Sequence, residues 1–257
     1  MTDARIAPVE DNLLSFFTVA GDSGLLRRDA ADDVVAVRSD VPFPTFNAVV
    51  GARFDGDAGA RAAEVADSYI AAGVPWMWWA TPSTTPAGLD AVLEERGLAR
   101  EDVPGMYADL AATPATPRVD GLTLQTTDDA DVFVAAMVAG FGLPPFVREP
   151  MTAIMRHFPE TLNVIGYVDG RAVACGTAYL TGPTAGLYNI ATVDDARGRG
   201  IGYAVTTTLM QLARGAGADH AVLHATEAGR PVYERAGFEH VCNLAQYVWM
   251  PPENGRI

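Results

Sequence analysis

The residues whose types and spacing could do chemistry are concentrated late in the chain. The most informative run is Ile190-Ala-Thr-Val-Asp-Asp-Ala-Arg-Gly-Arg-Gly-Ile-Gly-Tyr-Ala204, where an apolar stretch passes into a polar turn and then into glycines at 198, 200 and 202. Glycines let a backbone turn with several N–H groups aimed the same way, and a helix opening there adds the positive end of its dipole, which makes a phosphate cradle. Arg197 and Arg199 add cationic charge beside it. The same glycines can instead serve only to tighten helix–strand packing, so by themselves they leave both readings open. Downstream, Thr226 by itself reads as a helix cap and Tyr233, on the helix after the next strand, by itself reads as core packing. Asp194 and Asp195 flank the loop, and His224, in Ala-Val-Leu-His, reads as a buried imidazole.

Two nucleotide-binding alternatives are weighed against this run. The sequence contains no Lys, so all 18 of its basic residues are Arg, which excludes a lysine-type P-loop, a Schiff-base lysine and a lysine general base. A dinucleotide fingerprint needs a third glycine where Val205 stands, and the polar residues 194–197 separate strand from loop, although Asp219 does fall where a ribose-binding acid would.

The elements that position these residues follow from periodicity and turn signals. After residue 118 the pattern predicts a strand at Leu122–Gln125, helices at Asp128–Gly140 and near Val147–His157, and a hairpin of Leu162–Val168 with Ala172–Leu180 across Asp169-Gly170. A strand at Gly186–Val193, a helix at Gly200–Arg214, a strand at Ala221–His224, a helix near Pro231–Ala236 and a strand at Val241–Trp249 follow. Before the break, strands are expected at Val34–Arg38, Phe46–Phe54, Val74–Ala80 and Met106–Ala112, with helices at Ala58–Ala72 and Pro86–Arg96. Strands alternating with helices, with a hairpin among them, predict a mixed α/β sheet. The proline-rich stretch Ala111–Arg118 marks a break, giving an N-terminal domain at 1–112, a linker at 113–118 and a second domain at 119–257. A faint repeat relates 79–98 to 224–238, each passing from a strand end through Ala-Thr to a Pro-started helix and a Gly.

Composition bounds the function class. With 257 residues and a formal charge of −14, the chain lacks the dense cationic surface that sequence-independent nucleic-acid binding requires. Residues 1–117 carry −10 of that charge and residues 118–257 only −4, so an anionic ligand is expected in the second part. Cys175 and Cys242 are separated by 66 intervening residues with no metal-ligand spacing, which predicts buried thiols rather than a disulfide framework or a zinc site. No apolar run suggests a membrane span and no secretory leader is evident, so a cytoplasmic location is expected. The use of Arg, Ala and Gly without Lys fits a GC-rich bacterial genome.

The run Arg197-Gly-Arg-Gly200-Ile-Gly202, directly after a strand and opening a helix, resembles the acyl-CoA signature of the GNAT superfamily of N-acyltransferases, Arg or Gln-x-x-Gly-x-Gly or Ala. Tyr233-Glu-Arg-Ala-Gly237-Phe238, after the next strand, resembles the family's second element. The resemblance covers roughly 118–257. It implies two tandem GNAT-like domains, each a mixed, mostly antiparallel sheet flanked by helices, the first a degenerate copy whose loop Asp55–Arg61 is acidic and departs from the signature. It further implies acetyl-CoA as co-substrate without a metal, and direct transfer of the acetyl group to a primary amine of a small molecule or peptide. Backbone groups of Ile190, Ala191 and Thr192 would pair with the pantetheine arm. The N–H groups of Arg197, Gly198, Arg199, Gly200, Ile201, Gly202 and Tyr203 would hold the pyrophosphate, Thr226 would contact the cofactor arm, and Tyr233 would be the acid, with Glu227, or Asn189 through an ordered water, a candidate acceptor for the amine's proton. The alternative is an acyl-CoA-binding regulatory module without turnover; a homodimer is left open.

Overall fold

Val9, Leu13, Phe17 and Ala20 recur at helical spacing and are at most 5% exposed, so the chain opens on a helix, α1 (Ile6–Gly21), that the sequence reading left unassigned. The computed structural model describes residues 3–28, 33–158 and 161–252. After α1 come β1 (Arg27–Arg28), β2 (Val34–Arg38), β3 (Ala48–Ala52), α2 (Ala58–Ala71), β4 (Trp76–Ala80), α3 (Leu89–Glu94) and β5 (Ala99–Asp109). Then follow β6 (Leu122–Thr126), α4 (Ala130–Phe141), α5 (Arg148–Met155), β7 (Thr161–Val168), β8 (Arg171–Thr181) and β9 (Thr184–Thr192). The last elements are α6 (Ile201–Gly215), β10 (His220–His224), α7 (Arg230–Arg235) and β11 (Glu239–Trp249).

These elements form two compact units that are not consecutive halves of the chain. Unit one takes residues 1–15 and 104–242, and unit two takes 16–103 and 243–257. The break expected at 113–118 therefore lies inside unit one. The difference arises at two strands. The strand expected to close the N-terminal domain, found in β5, pairs antiparallel with β10 of unit one from Gly105 to Asp109, and its Met106, Ala108 and Leu110 enter that unit's core. The last strand, β11, sends Ala245–Trp249 antiparallel to β4, and Tyr247 and Trp249 enter the core of unit two. Burying these large apolar groups outweighs continuity along the chain, because apolar contact stabilises whichever sheet completes it.

Unit two has the strand order β1-β2-β3-β4-β11, antiparallel except for β3 with β4. Its core is aromatic: Tyr69 of α2 stacks on Trp76 at 4.9 Å, and the Arg38 guanidinium carbon lies 3.5 Å from the centroid of the Tyr69 ring, with Trp78 fully buried nearby. Unit one has the order β5-β10-β9-β8-β7-β6, again antiparallel except for one pair, β9 with β10. The sheet type thus matches the expectation of a mixed, mostly antiparallel sheet flanked by helices. In unit one, Val205, Leu209 and Ala213 of α6 pack on the face carrying Ala174 and Ala178, while Phe133 and Met137 of α4 cover the face carrying Cys175. Gly176 permits the first contact: a Cβ there would come within 2.8 Å of Leu209.

Candidate active site

Two irregularities in unit one open its sheet. β9 and β10 pair in parallel only at Thr184–Gly186 with His220–Val222, so the β10-facing edge of β9 has no strand partner beyond Gly186. On its other side β9 pairs with β8, but the register slips between Cys175 and Thr177, opposite a bulge whose Asn189 takes φ +56. A non-glycine residue in the left-handed region is unusual, and Asn is among those that tolerate it. The bulge is pinned by Cys175, whose Sγ donates to the Asn189 carbonyl at 3.3 Å. Beneath it Thr177 donates to Asn163 Oδ1 at 2.8 Å, and the Asn189 amide reaches Thr177 Oγ1 at 3.5 Å. The bulge and this polar strip were not foreseen as a unit, because each residue lies on a different strand.

The edge of β9 leads into a cavity of about 520 Å³, lined by Ile190, Ala191 and Thr192, by the glycine loop, and by Thr226 and Tyr233. Of the residues expected to hold the cofactor or to act as the acid, all but Arg199 line this space, whereas Asn189, Asp194, Asp195, His224 and Glu227 do not. At its floor, α6 starts without a cap: Gly200, at φ +82, is the N-cap residue and supplies no side-chain acceptor. Among the described residues, the six N–H groups from Gly198 to Tyr203 donate to neither backbone nor side chain. The Arg197 N–H differs, since it donates to the Asp194 carbonyl at 3.3 Å, and the open set begins one residue later than expected. Unpartnered amides at a helix start are a ready site for an anion. The corresponding start in unit two is closed, because the Asp57 carboxylate caps α2 by accepting from the Ala60 N–H at 3.0 Å.

Arg197 braces the loop instead of facing the amides. Its Nε donates to the Thr192 carbonyl at 3.0 Å and an Nη to the Gly140 carbonyl at 3.1 Å, with Asp194 paired at 2.8 Å. Asp195 is paired with Arg171 at 2.7 Å. Gly140 itself was not anticipated; a Cβ on it would lie 2.7 Å from that of Ala191, so glycine lets α4 close against β9. Thr226 does not cap α7, whose N-cap residue is Gly229 without a side-chain acceptor; it closes the turn before that helix by accepting from the Gly229 N–H at 3.1 Å, and it also faces the cavity.

Tyr233 lies over the other wall, edge-on to Phe238 at 6.1 Å. Burial pushes its phenol up to about 12, so it stays protonated throughout the neutral range, and its hydroxyl has no hydrogen bond within the described residues. Burial likewise pushes the Cys175 thiol up to about 12 and Cys242 to about 11. Neither is a thiolate nucleophile at neutral pH. No cluster of three or more His, Cys, Asp or Glu suited to a metal occurs among the described residues. No described helix is long and apolar enough to cross a membrane.

His224 is the buried imidazole of the sequence reading. Desolvation lowers it to about 4, against a hydrogen bond with the Val9 backbone that raises it. Its folded value is below the unfolded one of 6.5, so between these values the unfolded chain binds a proton that the folded protein refuses. Stability is therefore expected to fall as pH drops from 6.5 to 4, by up to roughly 3 kcal/mol, and His224→Gln should flatten that slope. Denaturant titrations of both proteins across this window check it; parallel slopes would contradict it.

Residues 133–238 match the family model described as Acetyltransferase (GNAT) family. No curated protein matches the chain. Among solved structures, the chain is similar to a GCN5-related N-acetyltransferase from Kribbella flavida, with 17% identity, a TM-score of 0.68, and 97% of this chain and 96% of that one covered. It is also similar to a GCN5-related N-acetyltransferase from Sphaerobacter thermophilus, with 20% identity, a TM-score of 0.61, and coverage of 86% and 81%. A tandem GNAT protein from the clavulanic acid biosynthesis pathway is 16% identical with a TM-score of 0.56, over 84% of this chain and 78% of that one. These likenesses establish a GNAT-like α/β fold.

Proposed function

We propose that unit one is the catalytic centre of an acetyl-CoA-dependent N-acetyltransferase acting on a primary amine, and that unit two does not bind the cofactor. The observation that carries this is the run of six open N–H groups, Gly198 to Tyr203, set at the mouth of the gap between β9 and β10. The residues present fit acetyl-CoA: open amides suit a pyrophosphate, and an unpaired strand edge at Ile190–Thr192 suits an amide-bearing arm. The capped start of α2 supports the assignment of unit two. A tandem arrangement in this sense is one active unit and one that has lost the cradle.

Acetyl-CoA supplies a thioester, an acyl group activated toward amines. The chain's own part is to hold and to move protons. The β9 edge and the α6 amides fix the acyl donor so that an amine attacks directly, forming an N–C bond as the C–S bond breaks. Tyr233, kept protonated by burial, gives a hydrogen bond or its proton to the departing sulfur. The amine's proton passes to water; Asn189, whose amide reaches Thr177 Oγ1, and Glu227 do not line the cavity. Direct attack fits two cysteines that burial holds as thiols.

Calorimetric titration with acetyl-CoA is expected to give saturable one-site binding, and a thiol-release assay across a panel of primary amines to show amine-dependent turnover. Absence of saturable binding would sink the assignment. Binding without thiol release from any amine would leave an acyl-CoA-binding module in its place.

A further inference from the structure

Three arginines stand around the glycine loop, and two of them are committed to holding the walls. Arg197 spends its donors on the Thr192 and Gly140 carbonyls and on Asp194. Arg199 donates to the Asp120 carbonyl at 3.3 Å. Arg235, at the end of α7, has neither an ion pair nor a hydrogen-bond acceptor among the described residues. Its guanidinium carbon lies 3.9 Å from the centroid of the Tyr203 ring, and both residues line the cavity.

This arrangement has a chemical consequence. Stacking occupies a flat face of the guanidinium and leaves its edge, where all the N–H donors lie, open to a ligand. Tyr203 belongs to the first turn of α6, so it holds the cation beside the open amides. The other cation of α7, Arg230, is balanced by Glu234 at 2.8 Å, which leaves Arg235 as the uncompensated charge on this helix. A backbone cradle suits a diester-type pyrophosphate, but a phosphate monoester carries nearly two negative charges at neutral pH and is best met by a planar, bidentate cation.

We infer that Arg235, held on Tyr203, is the group with which this protein recognises the 3′-phosphate of an acyl-CoA and discriminates against the 3′-dephospho form. The inference rests on the assignment of this cavity to acyl-CoA and adds to it a specificity-determining pair, Arg235 and Tyr203. It also moves the cationic role expected of Arg197 and Arg199 to a residue on another helix.

The test is calorimetric binding of CoA and of 3′-dephospho-CoA to the full chain. The wild type is expected to bind CoA at least ~10-fold more tightly, the scale of one hydrogen-bonded charge pair. Arg235→Gln should remove most of that preference by weakening CoA alone, with dephospho-CoA changed by no more than about 2-fold. Tyr203→Leu should also shrink the preference, since the guanidinium loses its platform, and raised salt should shrink it in the wild type. Arg235 is exposed, so Arg235→Gln is expected to keep the wild-type thermal midpoint. Equal affinities in the wild type, or equal weakening of both ligands by Arg235→Gln, would overturn the inference and leave the acyl-CoA assignment standing. Failure of both ligands to bind the wild type would overturn that assignment and this inference together.

Discussion

Gly202→Leu is expected to weaken acetyl-CoA binding by ~100-fold or more while leaving the folded protein as stable as before, or slightly more so. Gly202 is in the first turn of α6 with ordinary helical geometry, and a Cβ built there meets only Thr192 Oγ1, at 3.7 Å. Folding therefore gains helix propensity, about 1 kcal/mol for Leu over Gly, which corresponds to roughly 2–4 °C in Tm for a chain of this size. Binding loses instead, because the side chain occupies the space over the open amides; losing two charge-assisted hydrogen bonds at ~1.5–3 kcal/mol each gives the ~100-fold figure. Gly202→Ala, which adds only the Cβ, should bind nearly as the wild type does. Calorimetry and thermal unfolding on the same samples separate the two effects. A Leu variant that binds normally would place the ligand elsewhere. Gly200 makes a poorer test, since φ +82 strains any side chain and would mix a folding defect with a binding one.

Tyr233→Phe is expected to lower kcat by ~10²- to 10⁴-fold, the usual worth of a positioned general acid, with the affinity for acetyl-CoA changed by no more than about 2-fold. The substitution removes only a hydroxyl that has no protein partner, so stability should shift by less than about 0.5 kcal/mol. The pH profile adds a second readout. A phenol pushed up to about 12 stays protonated, so the wild-type rate should show no alkaline limb owed to this group until the pH approaches that value. Unchanged turnover in the Phe variant would remove Tyr233 from the chemistry and leave its packing against Phe238 as its role.

The site was more legible than the division of the chain. Residues 190–204 and 233–238 are each contiguous, and a phosphate cradle made from consecutive amides needs no partner from far away. Strand, turn, glycine and helix are thus all written in one stretch, and the structure brings Ile190, Gly200, Gly202 and Tyr233 around one cavity. Helix α1 was also readable, since Val9, Leu13 and Phe17 keep helical spacing, but Pro8 in its first turn obscured its start. What could not be read were contacts across strands or between helices. Arg235 on Tyr203, Gly140 against Ala191 and the Asn163–Thr177–Asn189 strip all join residues at least a dozen positions apart.

By itself, then, the sequence determined local chemistry: which helix start could hold an anion, which chemistries a chain without Lys cannot perform, and the alternation that makes a mixed sheet. Tertiary structure decided three further matters. It set the openness of the cradle, because only packing shows that no carboxylate caps α6 while Asp57 caps α2. It assigned the arginines, because Arg197 and Arg199 find carbonyl acceptors that sequence does not reveal. It also placed β5 and β11, whose apolar residues go to whichever core buries them. Hydrophobic burial is non-directional and indifferent to chain order, whereas turn and cap chemistry is local, and that difference separates what could be read from what had to be seen.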